Sequence, residues 1–385
     1  MPALSDVLAA LDRWYDPRWA ESWDAVGLVC GDPSAQVSRI VLAVDAVPAT
    51  VAETLDAPAQ LLITHHPLLL APVHGVPVTD PKGALVHQLI RGGAAHFVAH
   101  TNADVAERGV SDALAGVLGL HDVEPLEPAV GDGFDKLVVF VPTPSAPALI
   151  DALAAAGAGR YAQYDRCAWT ATGTGTFRPL AGANPAIGEV GVVEEVAETR
   201  VEMIVPAGTR AAVVAALRQA HPYEEPAFDL VSEVPIPGAR GTGRVGTLAA
   251  PMTLREFTAY VAATLPATAC GVRAAGDPNR LVEIVAVCGG SGASYTDAAR
   301  RSGADVYVTS DLKHHATLEA TAELGPDAMA LVDAAHWATE APWLDVLAAR
   351  LRETFTVDVH VSRRVTDPWT LHAPSMPASE ESSRT

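Results

Sequence analysis

Short apolar runs that end in polar clusters recur along the chain and divide it into three stretches. In the first, Ile40 to Asp45 (IVLAVD), Leu61 to Thr64 (LLIT) and Ala95 to Ala99 (AHFVA) have the length and composition of buried strands. Helix-like stretches near residues 48–56 and 81–92 lie between them, and the opening MPALSDVLAALDRWYD reads as an amphipathic helix. Strand alternating with helix predicts a mostly parallel sheet covered by helices. The third stretch has the same rhythm, with runs at Ile284 to Cys288, Asp305 to Thr309 and Met329 to Val332. IVLAVD, LLITHH and HFVAHTNAD find counterparts in IVAVCGG, VYVTSDLKHH and MALVDAAH, the mark of a degenerate repeat.

The middle stretch breaks that rhythm. Strand-like Lys136 to Val141 is followed by an alanine-rich helix from Ala146 to Gly157, then by glycine-rich and aromatic strands. A strand at Val201 to Val205, a helix at Thr209 to Ala220 and a strand at Ala227 to Val231 complete a β-α-β-β-α-β order, a ferredoxin-like unit. The expected class is therefore α/β. Two related α/β lobes (1–130 and 236–365) form a cleft, with a ferredoxin-like α+β domain inserted at 131–235. Residues 366–385 are Pro- and Ser-rich and read as a disordered tail.

Composition narrows the setting. Of 385 residues, 49% are hydrophobic and 19% charged, which fits well-buried domains and excludes a disordered chain. The start lacks a basic, then apolar leader, and no apolar run approaches the roughly 20 residues of a membrane span. The four cysteines, Cys30, Cys167, Cys270 and Cys288, are scattered without a CxxC pair, as expected of small buried residues in a reducing compartment. A cytoplasmic protein is expected. The formal net charge of −20 disfavours nucleic acid as a partner. A small anionic substrate stays compatible with it, because bound divalent ions invert the local field.

Ligands of open α/β sheets gather beyond the carboxyl ends of the strands. Here those ends carry His65 and His66, then His100 with Asp104 four residues on, and His336 with Glu340 four residues on. The last pair shares one face if a helix starts there. Imidazole mixed with carboxylate suits Zn, Mn, Fe or Co better than Ca or Mg. Asp104 and Glu340 are candidates to bridge two neighbouring ions. His74, His87, His96, His121 and His360 lack such a setting and read as structural or exposed. Gly241 to Gly246 (GTGRVG) matches a dinucleotide-binding fingerprint, but no helix opens after it. It reads as a tight connection, with Arg244 exposed near the cleft. Gly289 to Gly292 reads as a plain turn, and the His221 to Glu225 segment (HPYEE) as the end of a helix with its acids in solvent.

These motifs resemble a known family. LLITHHPLLL at 61–70, HTNAD at 100–104, TSDLKHH at 309–315 and DAAHWATE at 333–340 are similar to signatures of the NIF-three-like dinuclear metal centre proteins, also called GTP cyclohydrolase I type 2 homologues. SWDAVGL at 22–28 is similar to that family's N-terminal Trp-Asp motif, and HPYEEPAFDL at 221–230 to the CutA/PII-like insert of its longer members. Ala25, Ser310 and Ala335 depart from the pattern without removing a ligand. The resemblance implies two divalent metal ions per subunit on His65, His66, Asp104, His336 and Glu340, and a toroidal homohexamer. It also implies a hydrolase that opens the ring of GTP with release of formate. In that reading Glu340, Asp311, His314 and His315 are the catalytic candidates, for proton transfer or substrate contact. Two alternatives use the same ligands: a non-enzymatic hexamer that handles metal or regulates, with the insert as its sensor, and a metal-dependent phosphoesterase.

Overall fold

The computed structural model describes residues 1–129, 133–234, 238–322 and 328–373. The chain divides into two units, Met1–Ala129 with Ala239–Thr385 and Val130–Gly238. Within the first unit the apolar runs become two sheets. One has the order Gly27–Cys30, Ala95–Val98, Leu61–Thr64, Arg39–Ala43 and Asp358–Val361. Its first strand is antiparallel to its neighbour and the other pairings are parallel. Every residue of Leu61–Thr64 and Ala95–Val98 is buried, which is why these runs are continuous and not alternating.

The other sheet has the order Val272–Ala275, Ala330–Ala334, Val306–Ser310, Leu281–Ser291, Gly241–Thr253 and His121–Pro128. It too begins with an antiparallel edge strand and continues through three parallel strands in reverse chain order. The degenerate repeat is thus a repeat of topology. Each sheet also takes an outer strand from the other half of the chain, His121–Pro128 in one case and Asp358–Val361 in the other. Leu114 of the helix Val110–Val117 and Trp343 of the helix His336–Thr354 share one core with Val287, Val332 and Val359. That common core couples the two sheets.

Gly241 to Gly246 corrects one expectation. The segment belongs to a 13-residue strand, and Arg244 is 1% exposed, not displayed at the cleft. Gly243, at φ +62°, lets the strand bend. The guanidinium turns inward to the Asp112 carboxylate and to the carbonyls of Ala106, Gly241 and Gly243. Arg244→Ala should destabilise the protein at the low end of the roughly 3–5 kcal/mol typical of a broken buried pair, since Asp112 keeps some water. Denaturant unfolding of the variant against wild type checks this.

The second unit carries the strands Phe134–Pro142, Ala168–Phe177, Glu194–Pro206 and Phe228–Ser232 and the helices Ala146–Ala155 and Arg210–Ala220. The sheet order is Ala168–Phe177, Glu194–Pro206, Phe134–Pro142, Phe228–Ser232, antiparallel throughout. Leu149, Leu153, Val213 and Leu217 of the helices pack on Val139, Val201 and Met203, leaving the opposite sheet face without helices.

Candidate metal centre

Parallel strands end on one edge of their sheet, so the residues that follow them emerge together. Ala43 pairs with Thr64 and Thr64 with Val98, which places Asp45, His65, His66 and His100 side by side. From the second sheet, Ala330–Ala334 leads into His336, the first residue of the helix His336–Thr354. One helical turn later Glu340 points the same way and is 2% exposed. Asp104 comes from the short helix Thr101–Val105.

These side chains converge. Glu340 Oε1 lies 2.9 Å from His336 Nε2 and 3.4 Å from His65 Nε2, and Glu340 Oε2 lies 3.1 Å from His66 Nε2. Asp104 Oδ1 is 3.6 Å from His65 Nε2. Ligand atoms of His65, His66 and His100, and separately of His66, His336 and Glu340, fall within 4.8 Å of one another. His100, absent from the candidate ligands read from the sequence, thus joins the cluster. Its position beyond a buried strand was the visible signal.

Each imidazole is held from behind. Nδ1 of His66 meets Asp45 at 2.7 Å, Nδ1 of His336 meets Asp311 at 2.7 Å, and Nδ1 of His100 meets Asp24 at 2.8 Å. Nδ1 of His65 meets the Ala99 carbonyl at 2.9 Å. Carboxylate and carbonyl oxygens only accept, so each Nδ1 donates and each Nε2 faces the cluster. Such backing of the far ring nitrogen is what metal-binding histidines usually have. Towards the cluster, His65 Nε2 and Asp104 Oδ1 are buried without a hydrogen-bond partner, and Glu340 Oε2 faces the His66 ring. Buried polar atoms without partners are costly, and such atoms beside two histidine-rich groups of potential ligands fit a cation. The donor set suits the divalent transition metals anticipated above.

A glycine keeps the room. A Cβ built on Gly290, at φ +64°, would stand 2.5 Å from Glu340 Oε1 and 3.2 Å from His336 Nε2. Ser310, one of the departures from the family pattern, is fully buried and hydrogen-bonded to Thr339, which also receives the Gly290 N–H.

The charges of these groups are strongly coupled. Burial alone would lower His66, but Glu340 and Asp45 push it up to about 11. Burial likewise opposes protonation of His336, yet Glu340 and Asp311 raise it to about 9. Burial favours a neutral Glu340, whereas the three histidines hold its carboxyl well below the usual range. In chelated protein His66 and His336 are protonated at neutral pH. Both histidines bind protons more tightly folded than unfolded, so their contribution to stability is full below pH 6.5. It is lost as pH rises through about 9 and then about 11. The melting temperature of chelated protein should fall between pH 6.5 and 9, that of metal-loaded protein much less. Loading at pH 7 should release protons into a weakly buffered solution.

The cluster lines a cleft of about 1380 Å³ whose walls include Trp23, Arg273, Asp311, Tyr295 and Trp369. His314 and His315 stand exposed on the helix His314–Ala322, and His314 lines a separate hollow of about 340 Å³ beside Leu318. Asp311, at φ +59°, turns the chain between the strand end and that helix. The start of the Pro- and Ser-rich C-terminal stretch is part of the cleft wall. Thr366 donates to Asp45, and Asp367 is 8% exposed. Residues 374–385 lie outside the described residues. No helix among the described residues is long and apolar enough to cross a membrane.

The model of the Duf34/NIF3 (NGG1p interacting factor 3) family matches residues 2–368, and the chain belongs to that family. A Mycobacterium leprae protein named GTP cyclohydrolase 1 type 2 homolog is 51% identical over 373 residues, 96% of each chain. Among solved structures, a Bacillus cereus protein related to NIF3 is 33% identical with a TM-score of 0.70, covering 96% of this chain and 99% of its own. A Staphylococcus aureus protein reaches a TM-score of 0.79 at 28% identity with the same coverage.

Proposed function

We propose that the chain is a hydrolase that works through two divalent metal ions, with GTP as its substrate and formate as a product. The observation that carries the metal reading is the pair of overlapping groups, His65–His66–His100 and His66–His336–Glu340, whose ligand atoms lie within 4.8 Å of one another beside an open cleft. The substrate rests on the name carried by relatives such as the Mycobacterium leprae protein.

His65, His66, Asp104, His336 and Glu340 would hold the ions, with His100 as a further donor. Bound there, a pair of divalent cations supplies Lewis acidity and makes a coordinated water more acidic. The chain's own part is orientation. Asp45, Asp24 and Asp311 fix the histidine tautomers, while Trp23, Trp369 and Tyr295 supply flat apolar surface for a substrate in the cleft. Asp311 is a positioning residue that acts through His336 Nδ1. Asp311→Asn should weaken metal affinity about 10–100-fold, the usual cost of losing a carboxylate that backs a ligating histidine, and should modestly lower the melting temperature of the chelated form at neutral pH, where His336 is protonated. Competition with a fluorescent chelator measures it.

The test of function is formate release from GTP by metal-loaded protein against a chelated control. Metal-dependent formate is expected. Phosphate without formate would replace the reading by a phosphoesterase, and full loading with neither product would replace it by a metal-handling role. Six copies in a ring, part of the same proposal, would give a hexameric mass by light scattering.

A further inference from the structure

The inserted unit has a cavity of its own. It measures about 690 Å³, within the range of small-molecule sites, and lies on the sheet face opposite the helices. Its floor is the strand Ala168–Phe177, whose sequence AWTATGTGTF places glycine at 173 and 175. Glycine in a strand weakens it, and often marks where another group must come close to the backbone. A Cβ on Gly173 would meet nothing within 4 Å, so that position opens into the cavity. A Cβ on Gly175 would stand 2.1 Å from Glu198 Oε2, so the absence of a side chain there lets the Glu198 carboxylate lie flat on the floor.

The walls are aromatic and acidic. Phe140, Phe177 and Tyr223 surround the floor, with Phe177 and Tyr223 edge to face at 5.5 Å. His221 fixes this arrangement. Its Nε2 donates to the Phe140 carbonyl at 2.9 Å and its Nδ1 accepts the Tyr223 N–H at 3.1 Å. Burial lowers the His221 pKa, in keeping with a neutral ring that can do both. The Tyr223 hydroxyl is buried beside the Glu198 carboxylate. Burial first, and Glu198 second, raise the phenol above its ordinary value, so it stays protonated. Glu198, Glu224 and Glu225 face the cavity against Arg200 alone, and Arg200 is paired with Glu202 at 2.8 Å. The HPYEE segment follows the end of the helix, as read from the sequence, and its exposed Glu224 and Glu225 stand at the cavity's rim.

We propose that this cavity is a binding site for a small organic cation, an ammonium group on a flat apolar body. The ammonium sits at Glu198 and the Tyr223 hydroxyl, and the apolar body lies over Gly173 between the aromatic rings. Unbalanced carboxylates select positive charge, and ring faces attract it further. The site stands apart from the metal chemistry and does not depend on the proposed reaction.

The test uses the full metal-loaded chain and three probes of one shape: 2-phenylethylammonium, neutral 2-phenylethanol and anionic phenylacetate. Calorimetry should show the ammonium binding at least tenfold more tightly than either other probe. Glu198→Gln should reduce its affinity about tenfold, and Gly173→Val, which suits a strand and fills the floor, should abolish binding. Metal content and turnover should stay unchanged in both variants. Equal binding of the alcohol, wild-type affinity in both variants, or no binding of the ammonium would each overturn the proposal. The last result together with a smaller assembly for Gly173→Val would assign the cavity to contact with a second copy instead.

Discussion

Glu340→Gln is expected to strip the protein of most of its metal and, with it, of turnover. One carboxylate faces three imidazoles, Oε1 towards His65 and His336 and Oε2 towards His66, so it would be central to holding any ion there. Glutamine keeps the shape but removes the charge and turns an N–H₂ into the cluster. Affinity should fall by more than the roughly 10–100-fold that follows loss of an outer-shell partner. The chelated variant should still fold, because the histidines can give up protons that Glu340 had held on them. Its melting temperature should then change less between pH 6.5 and 9 than that of chelated wild type. Elemental analysis after dialysis against metal, with the pH series beside it, decides the matter. Full loading of the variant would remove Glu340 from the ligand set.

Gly290→Ala should have a comparable effect on loading through a residue that binds nothing. The added methyl would lie 2.5 Å from Glu340 Oε1, and the backbone has no freedom to retreat. Gly290 N–H donates to Thr339 Oγ1 at 2.9 Å, and its carbonyl accepts from Thr309 Oγ1 at 3.1 Å. The left-handed conformation adds about 1–2 kcal/mol of strain for alanine. Glu340 must therefore be displaced, and a displaced carboxylate no longer joins the ligands. The expected result is a folded protein, modestly less stable, with metal content and formate release both greatly reduced. Wild-type loading in this variant would show that the room beside Gly290 is not needed by the ions.

The residues that cluster were legible because both controlling features are local. Apolar runs such as LLIT and MALV announce buried parallel strands, and such strands deliver whatever follows them to one edge of a sheet. Four-residue spacing then set His336 and Glu340 on one helical face. His314 and His315 also follow a strand, and the pattern alone ranked them beside His65 and His66. The left-handed turn at Asp311 starts a new helix there and carries them outside the cleft lining.

What the amino-acid order determined by itself was the pair of related strand-helix patterns, the ferredoxin-like order between them, and the strand-end residues His65, His66, Asp104, His336 and Glu340. Only the tertiary structure decided the rest. Asp24 reaches His100 across 76 positions and Asp45 reaches His66 across 21, while Arg244 turns to Asp112 across 132. Gly290 and Gly175 matter for the space they leave beside residues distant in the chain. Period and composition report which face of an element is buried. The partner of a buried polar group, and the room around it, depend on how separate elements meet.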